Sequence, residues 1–316
     1  MTRSPELVLT LALGASDLNR GLLDGSVGIQ AAVTRCLTFT SPERHWRMFR
    51  RREFDIAEVS FGAFLSIQEQ TPGEFVAIPA FPHRRFRHSY IFVGHESALD
   101  SPAQLANRRI GLRTWTNTAG VWVRGILQDQ YGVDLSKITW VLNDEEHVEE
   151  YQKHYPANVS YQAGANLGEM VASGELAAAI GVGRVDSPDV KPLIPNAREA
   201  ETAWYQKTGI YPINHAVVVK DSLLQADPTL APRLFNAFKE AKAAFLMRLG
   251  SGAELSSDEQ ALAQRRSLVG DDPLPYGLAP NRKALEAVIR FAHDQKILPR
   301  LVSPEEVFAH NTLDLD

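Results

Sequence analysis

The recurring pattern of a short extended run followed at once by a helix start limits what this chain can fold into. Phe54-Asp55-Ile56-Ala57-Glu58-Val59 reads as a strand, and Ser60 then opens the helical stretch FGAFLSIQEQ. Arg109-Ile110-Gly111-Leu112 is another strand, and Val121 to Tyr131 is the helix that follows, closed by Gly132. Ser41-Pro42-Glu43 supplies a third helix start, with a Ser cap and Pro at the first helical position. Such alternation predicts an α/β architecture.

The remaining elements follow from the same signals. Leu7 to Ala15 (LVLTLALGA), Phe75 to Ile78, Tyr90 to Val93 and Leu176 to Ile180 are expected strands. Short helices are expected at 101–105 and after Asn166, and the Arg50-Arg51-Arg52 run is read as a solvated helix end. Ala216 to Val219 is a strong strand with no partner nearby in sequence, and three helices follow it, over 228–249, 258–269 and 282–295. Both observations are met if the chain builds two lobes. Residues 1–93 and 215–316 then form lobe 1, residues 94–214 form lobe 2, and two crossings border a cleft between them. Ligands of such folds sit at strand carboxyl ends and helix N-termini.

Composition narrows the function classes. The chain has 316 residues and a formal charge of -5, which argues against a nucleic-acid partner. Its one cysteine, Cys36, allows neither an intramolecular disulfide nor a zinc cluster. No apolar stretch reaches the ~20 residues of a membrane span. Only Arg3 precedes the LVLTLALGA run as a basic residue, so that run is read as a strand, with no export signal and a cytoplasmic location expected. There is no H-E-x-x-H, glycine-rich nucleotide fingerprint or nucleophile elbow, and Asp144-Glu145-Glu146-His147 reads as a solvated loop. We expect neither a metal nor another cofactor.

Three segments and one isolated arginine carry candidate chemistry. FPHRRFRHSYIFVG, residues 81–94, places His83, Arg84, Arg85, Arg87 and His88 ahead of a buried strand. Arg87 and His88 adjoin that strand and are the candidates for the cleft, while His83, Arg84 and Arg85 read as a basic approach. An arginine there can grip a carboxylate with two parallel hydrogen bonds. In WTNTAGVWVRG, residues 115–125, Thr116, Asn117 and Thr118 stand at a helix start suited to an anion, and Arg124 lies further along. In YPINH, residues 211–215, Asn214 and His215 stand at the entry to the last strand, and a cleft-facing histidine suits proton transfer near neutral pH. Arg184, after Gly181-Val182-Gly183, is a further anion contact.

RMFRRREFDIAEVSFGAFL, IPAFPHRRFRHSYIFV, WVRGILQDQYGV, KTGIYPINHAVVV and DPLPYGLAPNRKALE together resemble the 4,5-dihydroxyphthalate decarboxylase family, in order and over most of the chain. The resemblance implies a two-lobed clamp of the type 2 periplasmic-binding-protein-like fold with a helical C-terminal tail. It also implies release of CO2 from 4,5-dihydroxyphthalate to give protocatechuate, in bacterial phthalate catabolism. The implied partner is a small aromatic dicarboxylate, with no nucleic acid or membrane, and a homo-oligomer is left open. One departure is Asn214, where the family carries an apolar residue, usually methionine.

Direct loss of an aromatic carboxylate would leave an aryl anion, so the chemistry calls for protonation of the ring carbon. His215 or His88 is expected to donate that proton, and Glu58 to act as base for the hydroxyl. Arg87, Arg124 and Arg184 are expected to hold carboxylates, helped by Thr116, Asn117, Thr118, Ser60 and Asn214. The competing reading is a non-catalytic receptor for an aromatic carboxylate on the same fold. A third is a chorismate-derived menaquinone-pathway lyase.

Overall fold

The computed structural model describes residues 7–181, 189–252 and 254–316. In chain order it begins with β1 (Leu7–Leu13), α1 (Arg20–Asp24), β2 (Ala32–Thr38) and α2 (Ser41–Arg51). β3 (Ile56–Ser60), α3 (Phe61–Gln70), β4 (Phe75–Ile78), β5 (Ile91–Gly94) and β6 (Arg109–Leu112) follow. Next come α4 (Thr118–Tyr131), β7 (Thr139–Leu142), β8 (Val159–Tyr161), α5 (Leu167–Ala172) and β9 (Ala178–Ile180). The chain continues with β10 (Val190–Pro192), α6 (Ala197–Thr208), β11 (His215–Lys220) and α7 (Asp221–Ala226). It ends with α8 (Leu230–Leu249), α9 (Ser257–Val269) and α10 (Arg282–Asp294). The run Leu7 to Leu13 is thus a strand, paired along its full length with β2. No helix among the described residues is long and apolar enough to cross a membrane.

Two sheets share these strands. The first has the order β2-β1-β3-β11-β4, and the second β10-β5-β9-β6-β7-β8. β1, β2 and β3 are parallel, so their carboxyl ends point the same way. β11 runs antiparallel between β3 and β4, which gives the isolated AVVV run the partners its sequence neighbours could not supply. The amino end of β11 therefore meets the carboxyl ends of β3 and β4. Its register sets His215 opposite Ser60 and Val217 opposite Glu58. Glu58 and His215 are then diagonal neighbours on one face, within reach of each other's side chains.

The strand Ile91–Gly94 pairs with β9 and β10 in the second sheet. Ile91 to Val93, expected in the first lobe, therefore belong to the second sheet, and the outward crossing occupies residues 79–90. Pro79 and Pro82 keep that stretch out of a ladder, and His88–Tyr90 is a 3-10 turn, which breaks the alternation expected there. The two crossings run side by side. Arg84 bridges Ile213, and the His83 carbonyl accepts hydrogen bonds from the Asn214 and His215 amides at 2.9 and 3.2 Å. This pairing brings His83, distant in sequence, against His215.

A close approach fixes α3 against the chain ahead of α4. A Cβ on Gly62, in the first turn of α3, would lie 2.4 Å from the Thr116 carbonyl oxygen ahead of α4. Neither partner is the loose end of a side chain. Gly62→Ala should therefore destabilise the protein by about 1–3 kcal/mol. Thermal unfolding checks this, with a Tm lower by about 2–8 °C.

Candidate active site

The carboxyl ends of β1, β2 and β3, the amino end of β11 and the outward crossing enclose a cleft of about 660 Å³. Ser41, Arg44, Glu58, His83, Arg87 and His215 are among its lining residues, with Phe39 and Tyr90 as its aromatic rings. Glu58 is buried at its centre. One carboxylate oxygen accepts from His215 Nδ1 at 2.7 Å and pairs with Arg44 Nη2 at 3.1 Å. The other accepts from the Gly14 amide at 2.9 Å and from Asn19 Nδ2 at 3.2 Å. Burial favours the neutral acid, but Arg44, His215 and the Gly14 amide together hold Glu58 far below the usual carboxylate range.

An ionised carboxylate can only accept, so His215 presents Nδ1–H to Glu58 and leaves Nε2 as the basic nitrogen. Burial lowers the His215 pKa, and the hydrogen bond to Glu58 works against that lowering. His83 packs on it with ring centroids 4.8 Å apart. Burial and the neighbouring His215 and Arg87 keep His83 neutral, and its Nδ1 has no partner. Arg87 is 3% exposed, lies over the Tyr90 ring at 4.4 Å and donates to the Asn214 side-chain oxygen. Among the described residues it makes no ion pair, and burial pulls its pKa down to about 10. Among the described residues the cleft thus holds a buried cation, Arg87, with no carboxylate in ion-pair contact.

Several expected ligands are committed elsewhere. Arg124 is fully buried on α4. It donates to Gln295 Oε1 at 2.7 Å and to the Trp115 carbonyl at 2.6 Å, with its guanidinium 3.9 Å from the Trp115 ring centre. It fastens α10 to α4 and is absent from the cleft lining. Its loss would leave two buried acceptors without donors, so Arg124→Met should cost about 2–5 kcal/mol of stability. Chemical denaturation would measure that loss, and the kcat of the folded fraction should stay unchanged.

His88 is likewise outside the cleft, bonded through Nε2 to Gln130 at 2.9 Å and set edge-on to Trp204. Thr116 donates to the Glu146 carboxylate at 2.6 Å. Asn117 accepts from the Gly120 amide at 2.7 Å, ordinary capping of α4. Thr118 and Ser60 bond to each other at 2.8 Å, and Thr118 also accepts from the Gly62 amide. The start of α4 is therefore self-satisfied and offers these residues no free donor for an anion. Arg184 lies outside the described residues. Glu58, expected as base for a hydroxyl, has both oxygens taken up by protein donors, one of them His215 Nδ1.

The run Asp144 to His147 is not a solvated loop. Glu146 is fully buried and accepts from the Trp115 and Thr116 amides, and His147 packs edge-on to His45 at 5.0 Å between centroids. Arg50, expected at a solvated helix end, joins this loop through Glu145 at 2.7 Å and the Glu146 carbonyl. His83, read from the sequence as a basic approach, also lines the cleft, and Arg44 and Ser41 are cleft residues that sequence reasoning missed. The available signal was the Ser41-Pro42 helix start, because a helix N-terminus at a strand carboxyl end is where α/β folds bind ligands. Among the described residues no group of three or more His, Cys, Asp or Glu is arranged to hold a metal.

No family model matches the chain. It aligns over 98% of its length with the periplasmic aliphatic sulphonate binding protein SsuA of Escherichia coli, covering 99% of that protein at a TM-score of 0.57 and 13% identity. The likeness shows the type 2 periplasmic-binding-protein-like fold. A 4,5-dihydroxyphthalate decarboxylase of Pseudomonas putida is 32% identical over 65% of this chain and 86% of its own length. A 4,5-dihydroxyphthalate decarboxylase of Comamonas testosteroni is 31% identical over 98% of both chains. An identity of that level, sustained from end to end, places the protein in the 4,5-dihydroxyphthalate decarboxylase family.

Proposed function

We propose that this protein releases CO2 from 4,5-dihydroxyphthalate, giving protocatechuate, in the cleft between the two sheets. The observation that carries this reading is the Glu58-His215 pair beside Arg87, a proton-handling imidazole next to a buried cation that makes no ion pair among the described residues. The reading includes a cytoplasmic location. It also treats the two sheets as lobes that close on the ligand, with Ile91 to Val93 moved to the second.

Arg87 holds one substrate carboxylate. The start of α2 holds the other, for Thr40 and Ser41 line the cleft and Thr40 makes no side-chain cap to the first turn. Each ring carbon that bears a carboxylate has a hydroxyl para to it. His83, neutral and part of the cleft lining, accepts the proton of that hydroxyl. His215, protonated at Nε2 for the step, delivers its proton to the carboxylate-bearing carbon. The ring becomes a dienone with a tetrahedral carbon. The carbon–carbon bond then breaks, CO2 leaves, and its electron pair restores the aromatic phenolate, which recovers a proton from His83. One proton is consumed per turnover. Glu58 stabilises the imidazolium form of His215 throughout.

Incubation with a panel of hydroxylated phthalates tests the proposal, through CO2 release and appearance of a hydroxybenzoate. Tight binding without turnover across the panel would identify a receptor instead. Arg87→Ala should raise KM about 10–100-fold, the worth of a charge-assisted hydrogen-bonded grip, with a smaller effect on kcat. Steady-state kinetics on 4,5-dihydroxyphthalate separates the two parameters.

A further inference from the structure

The reaction just proposed removes a proton from a buried His215 in every cycle, and Ser41 and His45 line up to return it. Ser41 Oγ lies 3.4 Å from His215 Nε2 and 3.3 Å from His45 Nε2, between the two rings. The tautomers along this path are fixed from one end. Glu58 is an acceptor, so His215 donates from Nδ1 and its Nε2 accepts. Ser41 must then donate its hydroxyl proton to His215 and accept from His45 Nε2–H. The other His45 nitrogen, Nδ1, is left as a bare acceptor, buried and without a partner among the described residues. Beside that ring stands His147, edge-on at 5.0 Å, carried by the loop after β7 in the second sheet. His45 and His147 are absent from the cleft lining, so neither is placed to touch substrate.

We infer that His45 and Ser41 form a proton relay that recharges His215, resting on the decarboxylase reading of the same site. His45 takes a proton of solvent origin at Nδ1 as it releases its Nε2 proton to Ser41 Oγ. Ser41 passes its own hydroxyl proton to His215 Nε2, which becomes an imidazolium paired with Glu58. Only N–H and O–H bonds are made and broken, and one proton enters for each that the ring carbon consumes.

His45→Gln tests the relay, since the amide can still donate to Ser41 but cannot carry a proton through. Its kcat should fall about 10–100-fold, with KM within about threefold of wild type, and added imidazole or concentrated buffer should restore part of the rate. Ser41→Ala, which deletes one oxygen, should show the same rescue and carries the test if His45→Gln does not fold. A wild-type kcat in either variant, or a lowered kcat indifferent to imidazole and buffer, would overturn the relay. Histidine ¹⁵N NMR of the wild-type protein reads the relay apart from the reaction. His215 is expected as the Nδ1–H form and His45 as the Nε2–H form near neutral pH, and an Nδ1–H form of His45 would refute it. A wild-type protein with these tautomers that releases no CO2 from 4,5-dihydroxyphthalate would refute the decarboxylase reading alone.

Discussion

His215→Asn should lower kcat on 4,5-dihydroxyphthalate by ~10²–10⁴-fold, the usual worth of general acid–base help, while KM stays within about threefold. The size follows from the chemistry. Without a proton delivered to the ring carbon, CO2 can leave only as the ring takes up an aryl anion, whose charge lies in the ring plane and cannot spread to the para oxygen. His215 is the histidine at the amino end of β11 that faces the cleft, and Glu58 fixes which of its nitrogens does so. The partner experiment is His88→Asn. His88 bonds Gln130 away from the cleft, so its loss should leave kcat near wild type. Stopped assays for CO2 on both variants decide between the two histidines. Equal losses in both, or a His215→Asn enzyme with wild-type kcat, would refute the assignment.

How far such a site can be read from sequence depends on whether its residues act where they stand in the chain. His215 and Glu58 were legible because each lies at a strand end, and strand ends in α/β folds open on the cleft. Arg87 was legible for the same reason, as a basic residue just ahead of the second sheet. The partner of β11 could be inferred from the absence of a local one, and with it the return of the chain to the first sheet.

Arg124, Thr116 and His88 misled because their sequence surroundings resemble a site while their partners come from elsewhere. Arg124 is buried by Gln295 and the Trp115 carbonyl, and nothing in WVRGILQ announces α10. Thr116 looks like a free hydroxyl at a helix start until Glu146 arrives from the loop after β7. That loop looked solvated because a run of acids normally is. Its third residue is instead buried, held by two backbone amides and the Tyr155 hydroxyl. His45, His83, His147 and His215 come from α2, the outward crossing, the loop after β7 and β11. Each alone is an ordinary histidine. Only the tertiary fold puts their rings about 5 Å apart.

Glu58→Gln is the second large effect expected, and it probes what a carboxylate does when both its oxygens are held by protein donors. The amide would keep most of the shape but could turn an N–H toward His215. His215 Nδ1 would then accept, Nε2 would carry the resting proton, and Ser41 would face a donor where it had an acceptor. Loss of the negative charge also removes what stabilises the imidazolium. Swapping the buried carboxylate of a Ser-His-Asp triad for its amide costs ≈ 10⁴ in kcat by the same wrong-tautomer route, so a fall of ~10²–10⁴-fold is expected here. Stability should fall as well, because Arg44 loses its counter-charge. The pH dependence separates the two effects. Glu58 titrates lower in the folded protein than its ordinary value of 4.5, so its stabilisation is fully present above that value and is lost as pH falls through the folded pKa. The Tm gap between wild type and Glu58→Gln should therefore be widest near pH 7 and narrow below pH 4.5. A gap that stayed constant from neutral to acid pH would mean that Glu58 is held in the folded protein by shape alone, and the fixed tautomer of His215 would lose its cause.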